Sequence, residues 1–168
     1  MKLTPLETAY AELLEKNDAR WAGIARAYAF DGEQEDLLQE IMLQVWRGLP
    51  KFEGRSHRDT WAYRVALNTA LAWDRSSRNR RRKLTIESHD VSQIDSKASS
   101  EHWDTKILDE FLQSLSKVDR AVMLTFLDGV SNSEATEITG LADGALRVRL
   151  HRLKKRFQET YCTTEKER

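Results

Sequence analysis

At 168 residues, with 27 basic and 27 acidic side chains and 40% apolar content, the chain has the composition of a soluble globular protein, long enough for one ordinary domain or two small helical ones. A single cysteine, Cys162, excludes an internal disulfide framework; no apolar run approaches a membrane span and no secretory h-region follows Met1, so the expected address is cytoplasmic, with no direct membrane insertion. Zero net charge hides segregation: residues 75–83 hold six basic groups and no acidic one, residues 147–156 hold six more, and residues 87–110 carry seven acidic side chains against two lysines. Two local basic fields are what a polyanionic partner would feel.

In chain order, apolar residues recur at helical spacing from Pro5 to about Ala29 (Leu6, Tyr10, Leu13, Leu14, Trp21, Ile24, Ala25, Tyr28), predicting one or two helices broken near Asn17 and Asp18. A turn at Asp31 and Gly32 opens a second helix, which Gly48 and Pro50 stop, with Glu33, Glu35 and Asp36 in its first turns where the helix dipole favours them. Its inward face is Leu37, Leu38, Ile41, Val45 and Leu49. Asp36, Gln39, Glu40 and Arg47 lie outside with Leu43 among them, a pattern that suits docking on a protein, although single exposed leucines are also ordinary. The acidic row Glu33, Asp36, Glu40 has no His or Cys beside it and reads as a solvated face; no metal, cofactor or catalytic residue is expected.

Residues 50–59 read as a loop, and a third helix runs from about Thr60 to beyond Trp73. Tyr63, Ala66, Leu67, Ala70 and Trp73 make its apolar side, while Trp61, Arg64, Asn68 and Arg75 fall on another stripe that could stack on bases, bond their edges and hold phosphates; Trp61 fits a core position equally well. Basic residues 78–83, Arg78 first, extend that track. Residues 84–100 lack periodicity and are serine-rich and acidic, which predicts a flexible linker and favours two domains.

After the linker, Ile107, Leu108, Phe111, Leu112 and Leu115 line one helix. Val118, Val122, Met123 and Phe126 are the expected inward face of the next, with Gly129 as its C-cap. Ser131 with Glu134 fits a capping box, opening a two-turn helix that ends at Gly140, and Asp143 is the expected cap of a longer basic helix. Short helix, tight glycine turn and basic helix are the layout of a helix-turn-helix. Leu146, Leu150, Leu153 and Phe157 face the core; Val148, His151, Arg152 and Lys155 face away, with Gly144 and Arg147 on one shoulder. Arg152 and Lys155 can donate to guanine edges or to phosphates, and Arg147, Arg149, Lys154 and Arg156 suit flanking phosphate contacts. No period-2 strand pattern is convincing, so the fold expected is all-α: two small helical domains, 1–83 and 104–162, joined by a flexible linker, 84–103, the second a four-helix domain containing the helix-turn-helix.

"DLLQEIMLQVWRGLPKF" followed by "TWAYRVALNTAL", and "SNSEATEITGLADGALRVRLHRLKKR" in the second half, resemble the extracytoplasmic function (ECF) group of sigma-70 family RNA polymerase sigma factors, over about residues 8–83 and 105–160. The resemblance implies a transcription initiation factor, not an enzyme, that binds core RNA polymerase, recognises −10 and −35 promoter elements and assists melting. It implies that Asp36, Gln39, Glu40 and Leu43 dock on the β′ clamp helices, and that residues near Phe126 and Leu127 meet the β flap. Phe52, Ser56, His57, Trp61, Arg64, Asn68, Arg75 and Arg78 would take −10 DNA; Asp143, Gly144, Arg147, Val148, Arg149, His151, Arg152 and Lys155 would take the −35 element. An anti-sigma factor is a further implied partner. Against this stand a dimeric helix-turn-helix regulator acting without polymerase, which predicts paired half-sites, and a helical adaptor, which leaves both basic fields unexplained.

Overall fold

The computed structural model describes residues 3–29, 32–87 and 103–162, with side chains described outside 78–105 and 162. Helix α1 spans Pro5–Tyr28, α2 Gln34–Gly48, α3 Arg58–Glu87, α4 Trp103–Ser114, α5 Lys117–Leu127, α6 Asn132–Thr139 and α7 Asp143–Phe157. A 3-10 turn, Leu49–Lys51, follows α2, and a π-helical turn, Gln158–Cys162, follows α7. Among the described residues there is no strand, so the protein is all-α, with two helical domains (α1–α3 and α4–α7) joined by a linker and a helix-turn-helix-like arrangement in the second. None of these helices is long and apolar enough to cross a membrane.

Helix α1 is one helix, not two. Thr4 and Glu7 cap it reciprocally, Glu7 NH donating to Thr4 Oγ1 at 3.3 Å and Thr4 NH to Glu7 Oε2 at 2.6 Å. The expected break at Asn17 fails because its side chain is buried in the helix, Nδ2 donating to Leu13 O at 2.9 Å and reaching Asp59 Oδ1 at 3.5 Å. An amide NH2 held by the preceding turn and by a neighbouring helix no longer competes with the backbone, although the amide oxygen, Oδ1, is buried without a partner.

Leu13, Trp21, Ile24 and Tyr28 of α1 meet Leu37, Ile41 and Val45 of α2 across the buried alanines Ala62, Ala66 and Ala70 of α3. Small residues at that spacing let α3 lie close to both partners. Trp73 Nε1 and Ser77 Oγ both donate to Glu33 Oε2, at 3.2 and 2.9 Å, so Glu33 is tied to α3 and does not cap α2 with its side chain. Helix α3 also runs four residues into the segment expected to be linker, over Leu84–Glu87; the rest of that segment lies outside the described residues.

In the second domain, Phe111, Leu112, Leu115, Val122, Met123, Ile138, Leu146 and Leu153 are buried together. Helix α5 departs from the expected face. Val118 and Phe126 are 45% and 42% exposed, whereas Arg120, Leu124 and Thr125 are buried, because α5 packs against α6, α7 and α1. Asp128 occupies the C-cap position, and Gly129 follows at φ 68° with its NH and that of Val130 donating to Phe126 O and Thr125 O.

The two domains touch. Tyr28 Oη donates to Lys117 O at 2.8 Å, Arg120 Nη1 to Ala27 O at 2.8 Å, and Tyr63 Oη to Asp128 Oδ2 at 2.6 Å.

Candidate nucleic-acid interface

The α6–turn–α7 unit is built by local chemistry. Ser131 Oγ accepts from Glu134 NH at 3.3 Å and Glu134 Oε2 accepts from Ser131 NH at 3.2 Å, closing the capping box. The Ser131 hydroxyl bond, against a smaller opposing effect of burial, holds the Glu134 carboxyl below the usual range. Gly140 ends α6 at φ 70°, which a side chain would strain.

Helix α7 starts with Ala142 as its N-cap, and no side chain caps it. Asp143, expected as the cap, is the first helical residue and its carboxylate instead pairs with Arg147 Nε one turn on, at 3.0 Å. One residue's difference in register sends the carboxylate forward along the helix surface instead of back onto the free backbone donors.

Leu146 and Leu153 are buried and Leu150 and Phe157 half-buried; Gly144, Arg147, Val148, His151, Arg152 and Lys155 are exposed. Gly144, Val148, Arg149, Arg152 and Arg156 line one open groove of about 620 Å³ whose floor includes Leu153 and whose wall includes Asp119 of α5. Arg149 is half-buried and its Nη1 donates to Asp119 Oδ1 at 2.7 Å. Burial raises the Asp119 pKa, but bonds from Ser116 and Arg149 and nearby guanidinium charge outweigh it, leaving the carboxyl below its ordinary value. That pair fixes Arg149 in the groove wall. Asp119 was not singled out in the sequence; a carboxylate in the first turn of α5 looks like dipole complementation alone.

In the first domain, Arg64, Asn68 and Arg75 are exposed on α3 and Trp61 is half-buried. Trp61 is neither free platform nor core: its ring packs at 5.2 Å between centroids on Phe52, and its edge covers Gly48, where a Cβ would stand 2.9 Å from Trp61 Cζ2. Gly48, expected only as a helix stop, is thus also the seat of that ring. In the loop, Ser56 is half-buried, and His57 is exposed with Nδ1 3.6 Å from Asp59 Oδ2. The Arg78 side chain lies outside the described residues.

Asp36, Gln39 and Leu43 are exposed on α2, Leu43 by 38%, and Glu40 is half-buried, accepting from Gln44 Nε2 at 2.7 Å. Glu40 and Asn68 line the same groove between α2 and α3, about 550 Å³, with Trp73 at its base. The residues assigned to polymerase and to DNA therefore adjoin. A separate apolar groove of about 480 Å³ runs between α4, α5 and α7, lined by Leu108, Phe111, Met123, Phe126, Leu127 and Phe157. Among the described residues, no three His, Cys, Asp or Glu side chains gather as a metal site.

Set against known proteins, this geometry has a family. Residues 13–82 match the model of sigma-70 region 2 and residues 105–157 that of sigma-70 region 4. Similar chains include the ECF RNA polymerase sigma-E factors of Haemophilus influenzae, 24% identical over 162 residues (89% of this chain, 86% of the relative), and of Escherichia coli K12, 24% identical over 161 residues (89% and 84%). Among solved structures, the sigma factor RpoE in complex with the anti-sigma factor NepR from Bartonella quintana is similar at TM-score 0.70 and 26% identity, over 89% of this chain and 93% of that one. CnrH in complex with the cytosolic domain of CnrY shares the fold at TM-score 0.65 and 21% identity, over 93% and 89%. The chain belongs to the ECF group of the sigma-70 family. At the level of that family it is a DNA-binding transcription initiation factor and not an enzyme.

Proposed function

We propose that this protein binds core RNA polymerase through the α2 face and recognises two unlike promoter elements, one with each domain. The observation that carries the proposal is the basic groove of α7: Arg152, Val148 and Gly144 stand exposed opposite the buried Leu146 and Leu153, on a helix set by the capping box and left-handed glycine of α6. A helix presented this way fits a major groove, with Arg152 toward −35 base edges and Lys155, Arg147, His151 and Arg149 flanking. In the first domain, Trp61 on Phe52, with Ser56, His57, Arg64 and Asn68 around them, forms the surface for unstacked −10 bases, and Arg75 and Arg78 hold the adjoining backbone. Melting proceeds by exchanging stacked bases for protein pockets, at a few kcal/mol per unstacked step.

Asp36, Gln39, Glu40 and Leu43 make the polymerase clamp contact, and the Phe126–Leu127 groove supports contact with the β flap. The likeness to the sigma factor RpoE solved with the anti-sigma factor NepR supports an anti-sigma factor as regulator, and the expected compartment is the cytoplasm.

The test is run-off transcription with purified core polymerase on a genomic library, sequencing the start sites. A shared pair of upstream sequences is expected. Arg152→Ala with Lys155→Ala should lower transcription that depends on the upstream element at least tenfold, at ~1–3 kcal/mol per lost base contact, with pull-down of polymerase unchanged. Equal loss of polymerase binding would refute the assignment.

A further inference from the structure

Two residues in the first half of α7 bring nothing to a solvated helix surface. Gly144 has ordinary helical backbone, not the left-handed φ of Gly140, and a Cβ at that position would meet nothing within 4 Å, so neither the backbone nor the packing of the protein calls for glycine there. Glycine ranks below every residue but proline as a helix former, and alanine would serve the fold at least as well. Val148, one turn on, is 50% exposed among Arg147, Arg149, His151 and Arg152, an uncovered aliphatic side chain in a cationic face. Valine is also a poorer helix former than the long polar side chains beside it.

Gly144, Val148 and Arg152 follow one another at one-turn intervals, and all three line the open groove walled by Asp119 and Arg149. At about 1.5 Å of rise per residue, each interval is about 6 Å, between one and two base pairs at about 3.4 Å each, so the row addresses neighbouring pairs of one site. On the major-groove edge every base offers donors or acceptors, and only thymine adds a methyl group. Valine set against a donor or acceptor would strip its water and return no hydrogen bond, whereas valine and a methyl group leave water together. A β-branched side chain on a helix holds one χ1 rotamer, so Val148 gives up little freedom on contact.

We propose that Val148 selects a thymine in the upstream element by packing on its 5-methyl group, and that Gly144, which carries no side chain, lets the start of α7 come close enough to the bases for that contact to form. Arg152, one turn further along, reads the adjoining pair or the next. Val148 thereby supplies a preference that the cations of this helix cannot, since a guanidinium or ammonium group recognises acceptors and phosphates and has nothing to offer a methyl group. This rests on the promoter recognition proposed above, and the experiment separates the two.

In a promoter recovered by start-site sequencing, each thymine of the upstream element, on either strand, is replaced in turn by uracil, which removes the methyl group and keeps the hydrogen-bonding edge. Occupancy by the holoenzyme, measured by competition, should fall about fourfold at one position, the worth of one methyl group withdrawn from contact. Val148→Ala should bind the thymine and uracil forms of that position equally and still discriminate where Arg152 reads. Gly144→Ala should weaken the element several-fold and bring the thymine-to-uracil ratio toward one, while its Tm holds or rises by up to about 3 °C, because the free protein loses no contact. The free protein is run in parallel on duplexes that it selects from a random pool. An upstream element with no A·T pair, thymines that all tolerate uracil, or a ratio that survives in Val148→Ala overturns the methyl contact; a fall in Tm in Gly144→Ala overturns the role given to the glycine. If the holoenzyme shows no upstream preference but the free protein selects a site with the thymine effect, the polymerase-dependent function fails while the contact stands. If the upstream preference is clear yet indifferent to uracil, the contact fails while that function stands.

Discussion

Arg120 is a buried charged side chain that ties α5 to the end of α4 and to α1. It is 5% exposed, and its guanidinium donates to Leu112 O at 2.8 Å, Gln113 O at 3.0 Å and Leu115 O at 3.3 Å, closing the carboxyl end of α4, and to Ala27 O at 2.8 Å in α1's last turn. The cation also lies 5.0 Å from the centre of the Tyr28 ring. Arg120→Met keeps the length and apolar stem but removes every donor. Three of the four bonds are buried, and each carbonyl left without a donor costs about 1–3 kcal/mol. Allowing for water reaching some of them, the loss is about 4 kcal/mol. For a chain of this size, at about 2–4 °C per kcal/mol, that is a fall in Tm of roughly 10 °C. Arg120→Lys keeps the charge but cannot reach carbonyls on both sides, so about half that loss is expected. Urea denaturation followed by circular dichroism measures both. An Arg120→Met protein within about 1 kcal/mol of wild type would mean that these carbonyls are hydrated in solution, and would refute the role.

Gly48→Ala places a Cβ 2.9 Å from Trp61 Cζ2 and must push the ring off Phe52; open-complex formation, followed by permanganate footprinting, should fall several-fold with polymerase pull-down unchanged. Asp36→Lys with Glu40→Lys reverses the charge of the α2 face and should weaken holoenzyme assembly at least tenfold in a pull-down, while circular dichroism stays as in wild type. For pH, the Glu134 carboxyl lies below its ordinary value in the folded protein, chiefly through the Ser131 hydroxyl. Its contribution to stability is therefore present above the unfolded pKa, near 4.5, and lost as pH falls through the lower folded value. Wild type and Glu134→Gln should converge in stability between pH 6 and pH 3, as thermal melts across that range will register.

What the sequence disclosed depended on how local the determining chemistry was. The Ser131–Glu134 capping box and the left-handed Gly140 need only their own few residues, and both are where the pattern puts them. The outward placement of Arg64, Asn68, Arg75, Val148 and Arg152 follows from helical period and an apolar opposite face. Helix α5 departs from its apolar pattern, Val118, Val122, Met123 and Phe126, because that pattern supplies one inner face and the fold uses two. Arg120 and Thr125 are buried by a second packing partner, α1, which no spacing within α5 encodes. The end of α3 was placed too early for a related reason. Residues 55–128 contain no glycine or proline, so loss of apolar periodicity at Leu84 supplies nothing to stop the helix. Gly48 beneath Trp61 is a contact between residues distant in sequence, and only the fold brings it about.

Intramolecular pairing also edits the basic field of α7 in a way that charge counting misses. Arg147 is paired with Asp143 at 3.0 Å, Arg149 with Asp119 at 2.7 Å, and Lys155 with Glu159 at 3.6 Å. Lys154 lies 3.7 Å from the centre of the Phe126 ring, and Arg156 donates to Ser114 Oγ at 3.3 Å. Arg152 has no such partner among the described residues, yet it lines the groove with Gly144 and Val148. The exposed pairs of Arg147 and Lys155, spaced one helical turn apart, are worth only about 0.3–0.5 kcal/mol and yield readily to a phosphate; the half-buried Arg149 pair yields less. Arg152 should therefore dominate base discrimination, with Lys155 and Arg147 contributing mainly salt-dependent affinity and Arg149 mainly the shape of the groove. Single alanine variants assayed on promoters carrying each upstream base substitution should show Arg152→Ala losing preference at one or two positions. Lys155→Ala and Arg147→Ala should weaken all promoters alike and lower the salt slope by about one each. A position-specific loss in Arg147→Ala with none in Arg152→Ala would mean that the Asp143 pair opens to expose a reading group, and would reverse the order of roles along this helix.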